Sequence, residues 1–124
     1  MPPVKMILRS VCENIQKFKE VRSMLIKVVG VSFENTDGTK RQEILSKIHT
    51  GDSITLLREP KNEYDPNAIG VFSEHGQIGY IPRDIAFMIA PYMDMGKNMV
   101  SHVYSVVGGG EVNYGCAIEV LSIG

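Results

Sequence analysis

The chain has 124 residues, of which 44% are hydrophobic and 22% charged, and its net charge is -1. This length is typical of a single domain, and the apolar fraction is ordinary for a globular core, so disorder throughout the chain is excluded. A protein that coats nucleic acid through bulk charge is usually strongly basic, which this chain is not.

Membrane and secreted classes are not predicted either. No stretch approaches the ~18 consecutive apolar residues of a membrane span, and the segment around Lys5 and Arg9 lacks the cleavage site of a signal peptide. Cys12 and Cys116 are far apart and have no ligand spacing, so we expect both thiols to fill small spaces in the core of a reduced, cytoplasmic protein. We expect no membrane partner.

The sequence also lacks the motifs of metal sites and nucleotide hydrolases. His49, His75 and His102 are scattered and have no cysteine or carboxylate partner at metal-ligand spacing. There is no Gly-x-x-x-x-Gly-Lys phosphate loop, and no base–nucleophile pair is visible. We therefore predict that the chain has no metal, no cofactor and no catalytic activity of its own.

Residues 4–22 are predicted to form an amphipathic helix. Their apolar residues follow a 4-3-4-3 spacing that makes one stripe: Val4, Leu8, Val11, Ile15 and Phe18. Two interpretations remain open, because the stripe could pack on the rest of the protein or pair two copies in a homodimer. We place the boundary of this basic helical segment at residue 23, with a β-rich domain over residues 24–124.

Charge is divided unevenly along the chain. Residues 1–27 hold six basic and two acidic side chains, a net charge of +4, whereas the remaining residues hold seven basic and twelve acidic ones, a net charge of -5. The basic segment could touch phosphate, or it could simply be a solvated helix face. The whole-chain charge of -1 therefore argues only against sequence-independent coating of nucleic acid.

Short strands and turns are predicted from residue 24 onward. A β-branched run predicts a strand over residues 24–33, and residues 35–38 read as a turn. Thr39 and Gln42 have capping-box spacing, which predicts a helix of two to three turns after them. A strand over residues 53–58 follows.

The second half of the chain has the pattern of a hairpin, a helix and a second hairpin. Strands over 68–72 and 77–81 flank the tight connection 73–76, and strands over 98–107 and 112–123 flank three glycines. Between them Pro82 begins a helix whose inward face is predicted to be Ile85, Met88, Ile89 and Tyr92. The predicted class is α+β: a small, β-dominated, curved sheet or barrel of about six strands with two short inserted helices, plus the N-terminal helix.

The loop over residues 58–69 has the most unusual composition. Two prolines, two asparagines and an aspartate between strands specify a fixed loop. Asp65 precedes a proline and is held extended, which leaves its carboxylate able to accept hydrogen bonds, and Tyr64 can lay its ring on a surface. The alternative is that Asn62, Asp65 and Asn67 only brace the turn.

In chain order, four segments resemble the HIRAN domain family. They are Val-Val-Gly-Val-Ser-Phe (28–33), Gly-Asp (51–52), the loop with Asn-x-Tyr-Asp-x-Asn-Ala-Ile (62–69), and Gly-x-Ile-Gly-Tyr-Ile-Pro (76–82). The resemblance covers residues 24–122. It implies a partly open barrel akin to an OB fold that binds single-stranded DNA at a free 3′ end. The motor and RING modules of longer members have no counterpart in this sequence.

The resemblance also implies a set of nucleic-acid-binding residues. Asn62, Tyr64 and Asp65 stand where members hold the terminal nucleotide and its 3′ hydroxyl, and Tyr80 and Arg83 stand near the phosphates. Tyr114 is a further candidate stacking face, and Lys27 a candidate phosphate contact.

Two positions depart from the family pattern. The basic residue and aromatics of the first strand are replaced by Ile-Lys-Val (26–28), and Glu63 replaces the usual proline. The alternative function is a protein–protein interaction or dimerisation module that uses the N-terminal helix.

Overall fold

The computed structural model describes residues 21–123, so the helix predicted for residues 4–22 lies outside the described residues except for its last two. Those two, Val21 and Arg22, belong to a strand, and the helix therefore does not extend to residue 22. The described elements are β1 (Val21–Lys27), α1 (Arg41–Leu45), β2 (Ser53–Arg58), β3 (Ile69–Ser73), β4 (Gly76–Tyr80), α2 (Arg83–Asp94), β5 (Asn98–Gly109) and β6 (Val112–Ile123).

The six strands form one antiparallel sheet in the order β1-β6-β5-β2-β3-β4. Its two edges meet just beyond β1, where the N–H of Val29 donates to the carbonyl oxygen of Tyr80 and the N–H of Tyr80 donates back, both at 2.9 Å. This single bridge curls the sheet into a partly open barrel. The predicted β-dominated barrel of about six strands with two helices is confirmed.

The interior of the barrel is apolar. Side chains alternate between the two faces of a strand. Ile54 in β2 is therefore buried between two exposed residues, and in β3 Ile69 and Val71 are both buried on either side of Gly70. The largest fully buried side chains are Ile26, Val28, Leu45, Ile69, Val71, Ile78, Val103 and Ile118. Each one stabilises the fold by about 1.5–3 kcal/mol relative to an exposed position.

Gly79 permits the edges of the sheet to meet. A Cβ at this position would collide with the backbone carbonyl oxygen of Val29 and lie 2.7 Å from Cγ1 of Val28. The register between β3 and β4 shifts next to it, between Val71 and Phe72, so β4 carries one extra residue where it bends toward β1. The closed seam therefore depends on a residue without a side chain.

The first predicted strand and the capping box are partly wrong. β1 ends at Lys27 instead of Phe33, because Gly30 adopts a left-handed conformation (φ 72°) that turns the chain. Thr39 donates to Asp37 at 2.6 Å, while Gln42 donates to the carbonyl oxygen of Tyr114 at 3.0 Å. Neither side chain caps α1, and this helix has five residues, which is shorter than the two to three turns expected.

The inward face predicted for α2 is half wrong. Ile89 is buried and Ile85 is partly buried against the core, but Met88 is 57% and Tyr92 54% exposed. Small residues on the same helix, Ala86 and Ala90, are fully buried instead. The helix packs against the barrel through its alanines, and the larger side chains of Met88 and Tyr92 lie at the side of this contact, where they are exposed.

Candidate nucleic-acid interface

Arg58, the last residue of β2, fixes both ends of the loop over residues 59–68. Its guanidinium donates to both carboxylate oxygens of Asp94 on α2, at 2.9 and 3.1 Å, and to the carbonyl oxygens of Pro66 and Ala68. Its hydrogen bonds lower the pKa of Asp94 below the usual value. The loop is thus tied to a strand and a helix by one side chain, which makes it a rigid platform.

Inside the loop, Asn62 and Asp65 brace the backbone. Oδ1 of Asn62 accepts the N–H groups of Tyr64 (2.9 Å) and Asp65 (3.1 Å), and Oδ1 of Asp65 accepts the N–H of Asn67 (2.9 Å). Both side chains therefore hold the turn by accepting hydrogen bonds from backbone N–H groups. The ring of Tyr64 takes no part in it, because this residue is 84% exposed at the tip of the loop.

Glu59 joins the loop to β4. Its Oε1 atom accepts hydrogen bonds from the hydroxyl of Tyr80 and from Nδ2 of Asn62, both at 3.0 Å. Gly70 on β3 leaves room for this carboxylate, since a Cβ there would lie 2.9 Å from Oε2 of Glu59. The sequence did not single out Glu59, because its contact with Tyr80, 21 residues away, forms only once β4 has paired.

A buried arginine lies beneath Tyr80. Arg41 is 7% exposed, donates to Asn35 and to the carbonyl oxygen of Gly30, and places its guanidinium 5.4 Å from the centre of the Tyr80 ring. Burial lowers the pKa of Arg41, and electrostatic interaction with Tyr80 and Glu59 opposes this shift. Sequence reasoning missed Arg41, which lies in what was expected to be an ordinary helix.

Asp65 and Arg83 meet at the open side of the loop. Oδ2 of Asp65 is 3.9 Å from Nε of Arg83, the first residue of α2, and their side chains are 16% and 80% exposed. At this distance the pair is a weak one, so Oδ2 and the guanidinium both keep unused hydrogen-bonding capacity. Phe87 lies one helical turn after Arg83 and is 69% exposed.

The structure gathers five of the seven predicted residues. Asn62, Tyr64 and Asp65 lie on the loop, Tyr80 is linked to it through Glu59, and Arg83 faces Asp65. We call these five residues the loop site. Among the described contacts, none joins the other two residues to it.

Lys27 and Tyr114 lie elsewhere on the barrel. Lys27 is exposed at the end of β1, two residues before the seam at Val29. Tyr114 is half-buried: its N–H donates to Gln42 at 2.7 Å, and its ring covers Gly109 in the β5–β6 hairpin. A second exposed aromatic that the sequence did not single out, Phe33, follows the turn at Gly30 and is 67% exposed.

Titratable residues do not cluster into a metal centre within residues 21–123. Each histidine lies beside one carboxylate: His49 near Asp52, His75 near Glu74, and His102, which is in β5 and not in a loop, near Glu119. Cys116 is buried, and burial raises the pKa of its thiol to about 11, as expected of a core residue. No helix in the described part of the chain has the length and hydropathy needed to cross a membrane.

Two curated proteins share segments of this sequence. A Fanconi-associated nuclease 1 homolog from Oryza sativa subsp. japonica is 42% identical over 52 residues, which cover 39% of this chain and 5% of that protein. Helicase-like transcription factor from Mus musculus is 39% identical over 83 residues, 61% of this chain and 8% of the relative. The matching segments thus span less than a tenth of these relatives.

Solved structures share the fold. The crystal structure of the HIRAN domain of human HLTF superposes with a TM-score of 0.62 and 23% identity, over 82% of this chain and 75% of that one. A protein from Lactobacillus plantarum superposes with a TM-score of 0.63 and 23% identity, over 83% and 99% of the two chains. The family model of the HIRAN domain matches residues 22–121. This chain is a member of the HIRAN domain family.

Proposed function

We propose that this protein is a non-catalytic module that binds single-stranded DNA and prefers a free 3′ end. The observation that carries the proposal is the juxtaposition, on one rigid loop, of an exposed aromatic ring and a carboxylate with an unused oxygen, beside an exposed arginine. The names of two relatives, a nuclease homolog and a helicase-like transcription factor, describe proteins of nucleic-acid metabolism and support the same class of ligand.

Stacking on Tyr64 supplies affinity in this proposal. The ring is 84% exposed while its backbone N–H is held by Asn62, so little backbone entropy remains to be lost when a base packs on the ring. Stacking of a base on an aromatic side chain is worth about 1–3 kcal/mol and is tolerant of sequence. Phe87, beside Arg83 on α2, offers a second exposed ring next to the same site.

Asp65 supplies the preference for an end. Its Oδ1 accepts the N–H of Asn67, whereas Oδ2 lies 3.9 Å from Nε of the exposed Arg83. A carboxylate oxygen accepts a hydrogen bond from a terminal hydroxyl, but it repels a phosphate at the same place. Arg83 then pairs with the phosphate before the terminal sugar.

The charges around the loop limit the affinity. Glu59, Glu63 and Asp65 are acidic, and Arg41 is buried and committed to backbone and side-chain acceptors. Lys61, which is exposed in the same loop, and Arg83 are therefore the cations available to phosphate here. We expect low or moderate affinity with a shallow salt dependence, because few counterions are released.

Fluorescence anisotropy with a 5′-labelled thymidine decamer tests the proposal. The wild-type protein should bind at low salt, and Tyr64→Ala should weaken binding by about five- to a hundredfold. Tyr104→Ala is the matched control, since Tyr104 is also exposed but lies in β5, two strands away from β3 in the sheet order. Absence of wild-type binding at low salt, or an equal loss in both variants, would overturn the proposal.

A further inference from the structure

An apolar groove lies between α2 and the sheet, on surface that the loop site does not use. It has a volume of about 390 Å³. Its lining includes the basic residues Arg22 and Lys97, but seven of the eleven lining residues are apolar, among them Met24, Met88, Met99 and Val120. These side chains come from β1, α2, β5 and β6, so the groove crosses four elements. Three of the eleven lining residues are methionines, whose flexible side chains adapt to an apolar partner.

The groove leaves large apolar side chains uncovered. Met88 and Tyr92 are 57% and 54% exposed, although both lie on the apolar stripe that the sequence of α2 presents. Exposed apolar patches of this kind mark surfaces that bind a partner. Within the described residues nothing covers them.

A second apolar stripe without a described partner precedes β1. Residues 1–20 lie outside the described part, and their sequence carries apolar residues at the 4-3-4-3 spacing from Val4 to Phe18. Only Lys19 and Glu20 separate Phe18 from the first residue of β1. Three fully extended residues span at most ~11 Å, so the Cα of Phe18 is connected to the Cα of Val21 over no more than that distance.

The point of attachment lies at the rim of the groove. Ser23 and Met24, which follow Val21 almost directly, are among the groove's lining residues. We propose that residues 4–18 of the same chain cover this groove with their apolar stripe. The sequence of the segment carries an apolar stripe, the groove exposes apolar side chains to water, and the covalent connection holds the two at high effective concentration.

Crosslinking to the native thiol in the segment tests this proposal in the full chain. Cys12 lies four residues after Leu8 and borders the stripe, so a thiol introduced by Met88→Cys should be joined to it by a short bismaleimide. Cys116 does not interfere, since it is buried and its pKa is about 11. We expect an intrachain link in most chains. On a denaturing gel the product should run as a monomer, and its mass should increase by that of the crosslinker.

Two control variants make the result specific. Val107→Cys places a thiol at an equally exposed site on β5, about 25 Å along the strand from Met99, and should be linked at least tenfold less. Val11→Asp in the Met88→Cys background places a charge in the stripe and should lower the yield at least fivefold, which separates docking from simple tethering.

Three outcomes would overturn the proposal. Equal yields at positions 88 and 107, or a yield that Val11→Asp leaves unchanged, would mean that the segment does not occupy the groove. Covalent dimers in place of the intrachain link would mean that the segment of a second copy occupies it. None of these results depends on DNA binding.

Discussion

The role proposed for Asp65 predicts that the protein discriminates between a 3′ hydroxyl and a 3′ phosphate. Oδ2 of Asp65 lies 3.9 Å from Nε of the exposed Arg83, and the Asp65 side chain is only 16% exposed, so water screens its charge incompletely. Asp65→Asn removes the charge but keeps an oxygen that can accept the N–H of Asn67, so the turn is retained. The variant therefore tests the charge and not the fold of the loop.

The size of the expected preference follows from the hydrogen bond that the carboxylate would accept from the 3′ hydroxyl and from its repulsion of a 3′ phosphate. A hydrogen bond to a charged group is worth about 1.5–3 kcal/mol, and a neutral one about 0.5–1.5 kcal/mol. Wild-type protein should therefore prefer the 3′-hydroxyl decamer over its 3′-phosphorylated form by at least tenfold, because the phosphate loses this bond and is repelled. In Asp65→Asn that preference should fall at least fivefold, mainly through tighter binding of the phosphorylated strand.

The assay is anisotropy with both decamers at one fixed salt concentration, and Glu63→Gln is its matched control. Glu63 is an exposed carboxylate in the same loop, with no described side-chain contact. Its removal should strengthen binding of both strands alike and leave their ratio unchanged. Equal wild-type affinities for the two ends, or the same change of ratio in both variants, would refute the role assigned to Asp65.

Three further predictions concern the site, the seam and the core. Arg83→Ala should weaken DNA binding and lower the slope of log K against log salt by about 0.7, the value for one phosphate contact on a single strand; an unchanged slope would remove Arg83 from the interface. Gly79→Ala should lower the free energy of unfolding in urea by about 1–3 kcal/mol, while Gly115→Ala, whose Cβ makes only ordinary contact with Val107, should change it little. Burial raises the pKa of Cys116 in the folded chain to about 11, above the ordinary 9.0, so the thiol of the unfolded chain loses its proton at lower pH. The stability that the buried thiol contributes is therefore present below pH 9 and is lost between pH 9 and 11. Cys116→Ala should lack this part of the pH dependence of the free energy of unfolding.

Local patterns were sufficient for most of the fold. The hairpin at residues 73–76 and the strands beside it follow from alternation and turn residues, which act over a few positions. The capping box failed because Gln42 bonds instead to Tyr114, 72 residues away. Such a partner is available only in the closed barrel, so no local rule could predict it.

The loop site was predictable only in part, for the same reason. Asn62 and Asp65 brace a turn whose residues are contiguous, and the composition of the loop indicates this directly. Glu59 and Arg41 reach Tyr80 across 21 and 39 positions of the chain, and their roles depend on how β4 pairs. Met88 and Tyr92 were expected to face the core because they lie on the apolar stripe of α2. The sequence shows that this stripe is apolar, but it does not show which surface packs against it.

Under the proposed function, the bridge between Val29 and Tyr80 links ligand binding thermodynamically to closure of the barrel. Tyr80 contributes its backbone to this bridge and its hydroxyl to Glu59, so opening the seam disturbs the support of the loop site at the same time. A ligand that requires an intact loop binds only to the closed barrel, and it stabilises that state by RT ln(1 + [L]/Kd). The two hydrogen bonds at the edge of the sheet thus act as a coupling device, through which occupancy of a surface loop reaches the whole barrel.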